Sequence, residues 1–85
     1  MWKVTETKHA AKELRKLPKR IALIYQTLTR DLEREGPRPY GWDVKQLTGR
    51  PEIRIKLVRE YRVLILVVEP DLIVVKVAHR KEIYE

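Results

Sequence analysis

Six basic side chains and one phenol fall where a phosphate could meet them. Arg54 and Lys56 stand two apart in EIRIKL, Arg62 opens YRVLILVV, and Lys76 interrupts LIVVKVA. The chain then closes on HRKEIYE, with Arg80, Lys81 and Tyr84. Residues two apart on a strand share one face, with side chains roughly 6.5–7 Å apart. If the strands holding Lys56 and Arg62 form a hairpin, Arg62 starts close to where Lys56 ends. Like charges held together are unfavourable unless something anionic relieves them, so the pattern favours a phosphate partner. Plainer readings exist for the single positions. Alternating charge on a strand is often its solvated face, Lys76 reads as an ammonium snorkelling at a sheet edge, and Tyr84 reads as a ring capping the core. Arg62 is harder to explain that way, because it interrupts the start of an apolar run. His79 falls on the opposite strand face from Arg80.

These residues need a scaffold, and the composition limits what it can be. The 85 residues make one domain, 1–85, with no room for a second core. There is no cysteine, so no disulfide supports the fold, and two histidines without cysteine make a poor zinc site. The formal net charge of +7 suits a polyanionic partner. MWKVTETKHAAKELRK has no apolar signal region, and no apolar run approaches the roughly 20 residues of a membrane helix. A soluble, cytoplasmic protein with no membrane partner is expected.

The periodicities place the elements. MWKVTE reads as a first strand. Thr7 reads as the N-cap of a helix over KHAAKELRKL, where Ala10, Ala11, Leu14 and Leu17 make the apolar stripe. Pro18 ends that helix or opens the next, in which Ile21, Ile24, Tyr25, Leu28 and Leu32 keep the helical period up to Gly36. GPRPYGW is loop, and VKQLTG a short strand. Ile53, Ile55 and Leu57 then alternate with Arg54 and Lys56. YRVLILVVE and LIVVKVAHR read as strands buried on both faces, joined by a turn at Glu69-Pro70-Asp71. The predicted fold is α+β: two N-terminal helices, as a helical hairpin, on one face of a small, mostly antiparallel sheet.

LTGRPEIRIKL, YRVL and VAHRKEIY, together with LRKLP at the end of the first helix, resemble the RelE/ParE superfamily of toxin–antitoxin toxins. The resemblance runs over nearly the whole chain and implies a curved antiparallel sheet carrying two helices. On its RelE branch it implies a cofactor-free, metal-independent endoribonuclease that cuts mRNA in the ribosomal A site. It implies Lys56, Arg62, Arg80 and Tyr84 as catalytic residues, with Arg54, Lys76 and Lys81 meeting RNA phosphates. The best-known RelE pattern has lysine where this chain has Arg54, which keeps the charge but exchanges no proton. The step from Arg80 to Tyr84 is also shorter than in some relatives. The implied partners are mRNA, the ribosome, and a cognate antitoxin whose amphipathic, acidic helix masks the basic cleft. Tyr40 and Trp42 read either as part of that contact or as loop anchors. Two other classes compete: the ParE branch, which inhibits DNA gyrase, and a non-catalytic RNA- or ribosome-binding module.

Overall fold

The computed structural model describes residues 1–84. The chain runs β1 (Lys3–Glu6), α1 (Lys8–Arg15), α2 (Lys19–Glu35), β2 (Val44–Gln46), β3 (Ile53–Lys56), β4 (Tyr61–Val68) and β5 (Asp71–His79). All five strands form one sheet in the order β1-β5-β4-β3-β2. From β2 to β5 it is the expected antiparallel meander. β1 departs from that pattern by lying parallel to β5, from Lys3 opposite Asp71 to Glu6 opposite Val74. The sheet is therefore mixed. Both helices and three strands separate β1 from β5 in the chain, ample length for the crossover that parallel pairing needs.

Thr7 caps α1 as its sequence predicts, its hydroxyl accepting the Ala10 N–H at 3.0 Å. The helix stops at Arg15, short of the expected Leu17. A residue before proline is pushed out of helical geometry, and Pro18 follows Leu17 directly. The Pro18 carbonyl then accepts the N–H groups of Ile21 and Ala22, opening α2. The expected helical hairpin is only partly realised. Both helices pack chiefly on the sheet, α1 on β5 and β1, and α2 on β1.

One face of the sheet is thus covered. Ile53, Ile55, Leu57, Val63, Ile65, Leu72, Val74 and Val77 meet Ala10, Ile21, Tyr25, Leu28 and Leu32 in the main core. The two apolar strands are less enclosed than their composition suggests. Val63, Leu64 and Ile65 are buried, but at the end of β4 Val67 and Val68 reach solvent, Val68 on the face that the helices leave open.

Tyr25 sits at the margin of this core and donates its phenolic hydrogen to Glu6 Oε2 at 2.5 Å. Burial, reinforced by the bond to Glu6 and its charge, raises the phenol's pKa. An unfolded tyrosine titrates near pH 10, so above that pH the unfolded chain releases its proton first. The stability held by this phenol is complete below about pH 10 and is lost as pH rises toward the folded value. Tyr25→Phe is expected to flatten the alkaline limb of stability, read from urea unfolding at about pH 9, 10 and 11. An unchanged alkaline slope contradicts that assignment.

A β-bulge decides which way the end of β5 faces. Leu64 pairs with Lys76 but Ile65 pairs with Val74, leaving Val75 as the extra residue. Strict alternation from Leu72 and Val74 would aim Lys76, Ala78 and Arg80 at the helices. The bulge reverses this parity. Val77 enters the core instead, and Lys76, Ala78 and Arg80 fall on the open face. The Val77 N–H, beyond the reach of β1, is taken by Glu13 Oε1 at 2.7 Å, which closes that part of the sheet edge.

Candidate active site

Alternation puts Lys45, Arg54, Lys56, Arg62 and Leu64 on the open face with the end of β5. Two cross-strand rows result. Lys45, Arg54, Leu64 and Lys76 form the inner row, and Lys56, Arg62 and Ala78 the outer one. Directly opposed positions place Cβ atoms about 4.5–5.5 Å apart. Lys56 and Arg62 are such a pair. Arg80 continues from Ala78, its N–H bonded to the Glu60 carbonyl at 2.6 Å. Three strands therefore bring Lys56, Arg62 and Arg80 to one end of the sheet.

The local partners of these cations differ. The Arg62 guanidinium turns onto the β3–β4 connection, Nη1 donating to the carbonyls of Val58 (3.0 Å), Arg59 (2.8 Å) and Tyr61 (3.1 Å). That fixes its direction and leaves Nε and Nη2 outside those three bonds. Lys56 Nζ lies 3.2 Å from Asp43 Oδ2. Among the described residues, no side-chain bond or ion pair engages the Arg80 guanidinium.

Arg54 stands apart from the expectation of a phosphate contact. It is only 7% exposed, and its Nη2 donates to Asp43 Oδ1 at 3.3 Å. Its Nη1 is buried without a hydrogen-bond partner. Lys76 is likewise engaged, donating from Nζ to the Glu82 carbonyl at 3.0 Å. That bond ties the C-terminal turn to the strand position opposite Leu64. Ile83, 1% exposed, is buried in the same turn and lies outside the main core, as Leu64 does. Tyr84 beside it is 55% exposed, and Lys81 is exposed with its N–H on His79 Nδ1 at 3.2 Å. His79 faces away from this cluster. Its ring meets Tyr61 edge-on at 5.8 Å and lines a separate open cavity with Glu13 and Lys16.

The loop before β2 supplies the carboxylate. At the end of α2, Gly36 adopts φ +89°, and a Cβ there would lie 2.8 Å from the Trp2 indole nitrogen; glycine alone permits this backbone and this approach. Trp42 Nε1 donates to Asp31 Oδ2 at 2.8 Å, and the Tyr40 N–H to Glu35 Oε1 at 2.8 Å. Trp42 is therefore a loop anchor, while the Tyr40 ring stays exposed. The pinned loop delivers Asp43 beside Lys56, whose N–H bonds the Asp43 carbonyl at 3.1 Å. The hydrogen bond from Lys56 chiefly, with the charges of Lys56 and Arg54, holds the Asp43 carboxyl below the usual carboxylate range. Sequence reasoning missed Asp43 and Ile83. Asp43 precedes a three-residue strand too short to show a period, and Ile83 follows the last regular strand.

No protein-family model and no curated protein matches the chain. Solved structures do. A chain of the RelB–RelE antitoxin–toxin complex from Methanococcus jannaschii superimposes with a TM-score of 0.82 and 26% identity, covering 94% of each chain. The archaeal RelE–RelB complex from Pyrococcus horikoshii gives 0.80 and 26%, over 95% of this chain and 97% of the other. This chain is RelE-like in fold. The intact Escherichia coli RelBE complex shares the fold, with a TM-score of 0.75 at 23% identity over 92% and 95% of the two chains. In the RelE-like frame, the basic end of the open face is a surface that neither helix covers. Among the described residues, no cluster of three or more His, Cys, Asp or Glu could hold a metal ion, and no helix is long and apolar enough to cross a membrane.

Proposed function

We propose that this chain is the toxin of a type II toxin–antitoxin pair and cleaves mRNA in the ribosomal A site. One observation carries the reading: Lys56 and Arg62 are held opposite each other, next to Arg80, on the face that the helices leave open. Like charges directly opposed across strands are destabilising. Asp43 relieves that repulsion in part at Lys56, and an incoming phosphodiester relieves it across all three cations.

In this reading the ribose 2′-hydroxyl attacks its own 3′-phosphate, expels the 5′-oxygen, and leaves a 2′,3′-cyclic phosphate. The nucleophile comes from the substrate. The protein's tasks are in-line alignment, proton transfer, and stabilisation of charge on the phosphoryl oxygens. Arg80 and Arg62 supply fixed guanidinium donors for that charge, and Lys56 gives a proton to the leaving oxygen. Tyr84, exposed in the C-terminal turn after Arg80, takes the 2′-hydroxyl proton or orients the ribose. Lys81 and the Lys76 row extend the positive surface along the message. Arg54, buried against Asp43, supports the strand and its charge from beneath. Naked RNA is a weak substrate in this account, because the ribosome bends the message into line.

The partner is an antitoxin with an acidic, amphipathic segment. The RelB–RelE assemblies of the two archaeal relatives support that choice. On this chain the open face joins the basic rows to exposed Val68, a surface suited to apolar and acidic side chains together. A coupled translation assay beside a gyrase supercoiling assay separates the RelE and ParE readings. Inhibited translation with normal supercoiling is expected, and the converse overturns the proposal.

A further inference from the structure

Among the described residues, Asp43 is the one carboxylate paired with the candidate catalytic lysine, and its geometry is unusual in serving two cations at once. Oδ2 lies 3.2 Å from Lys56 Nζ, and Oδ1 lies 3.3 Å from Arg54 Nη2. The two cations are not equivalent. Lys56 is 43% exposed at its side chain and Arg54 only 9%. An exposed ammonium–carboxylate pair is weak and readily exchanged. A buried guanidinium, by contrast, is costly to leave without its anion. Arg54 also keeps Nη1 in reserve, a buried donor with no acceptor. A phosphate arriving from solvent cannot touch that nitrogen, whereas the Asp43 carboxylate already contacts the neighbouring one.

We propose that Asp43 is an internal anion that occupies Lys56 until an incoming phosphodiester displaces it, and then pairs with Arg54 alone. This rests on the RNA-cleaving reading and deepens it. Substrate binding exchanges one anion for another at Lys56, and Arg54 keeps Asp43 where its charge remains compensated. The anchored loop, fixed through Trp42 to Asp31 and through Tyr40 to Glu35, confines the exchange to the Asp43 side chain. Asp43 thereby makes the free site less attractive to stray polyanions, while a message that also meets Arg80 and Arg62 still displaces it.

The test uses a single-stranded 2′-O-methyl RNA oligonucleotide, which cannot be cut by 2′-hydroxyl attack, followed by fluorescence anisotropy at fixed low salt. Asp43→Asn retains an oxygen for Arg54 but removes the competing charge, and is expected to tighten binding by ~3–10-fold. In a Lys56→Ala background the same substitution is expected to give little or no gain, since the competition is for Lys56. Unchanged or weaker binding by Asp43→Asn, or an equal gain without Lys56, overturns the proposal. The unsubstituted protein gives a second readout independent of the variant's folding. The carboxyl carbon resonance of Asp43 is expected to move as the oligonucleotide saturates the protein, and a resonance that stays fixed also overturns it. Failure of every form, including the unsubstituted one, to bind the oligonucleotide overturns the RNA reading itself.

Discussion

Arg80→Ala is expected to slow mRNA cleavage on programmed ribosomes by about 10²–10³-fold, the usual cost of removing one fixed donor to a charge-developing oxygen. Thermal stability should change little. The Arg80 link to the fold is its backbone N–H on Glu60, which alanine retains, and its guanidinium has no partner among the described residues. A large loss of rate without a loss of stability is the signature of a group reserved for substrate. Lys56→Ala is expected to cost a further, separable factor on the order of 10², as for a general acid, and to raise the dependence on leaving-group basicity. If Arg80→Ala cuts at the parental rate, charge stabilisation from β5 is not part of the reaction.

Ile83→Ala should have the largest structural effect on the site. Truncating a buried isoleucine typically costs 2–5 kcal/mol, so a loss of about that size is expected if the whole domain feels it. The position of Ile83 outside the main core changes where the loss appears. Among the described residues, the Lys76–Glu82 bond and the buried Ile83 side chain tie the C-terminal turn to the rest of the fold beyond Arg80. Opening of residues 80–84 should therefore precede global unfolding, as expected of a weakly connected segment. Amide hydrogen exchange would register this as lost protection at Glu82 N–H, which bonds the His79 carbonyl at 2.8 Å, with β4 still protected. Cleavage should fall together with that protection, because Arg80 and Tyr84 flank the anchor. Uniform loss of protection across the sheet instead would place Ile83 in the global core.

The contrast between Arg80 and Ile83 explains what the sequence could reveal. The helices, the meander and the pairing of Lys56 with Arg62 follow from periods of 3.6 and 2 and from a tight turn, all local signals. Thr7 and Gly36 mark their helix ends by residue type. The parallel placement of β1 is a long-range choice, and no local pattern encodes it. The bulge at Val75 is harder still to read. LIVVKVA is apolar on both parities, so nothing in it reveals that the facing reverses before Arg80. Arg54 illustrates the opposite error. Strand alternation correctly gave its face, but a residue expected at the surface is buried there. Its counter-ion, Asp43, sits in the loop just before β2, eleven residues earlier, and only the fold brings the two together.

The most direct measurement of the central claim replaces one ribose. A message carrying a single 2′-deoxynucleotide at the scissile position, presented in the A site, lacks the internal nucleophile while preserving codon pairing. The account predicts that cleavage there stops, while the all-ribose message yields a 2′,3′-cyclic phosphate and a 5′-hydroxyl end. Cutting of the deoxy-substituted message at an undiminished rate contradicts it.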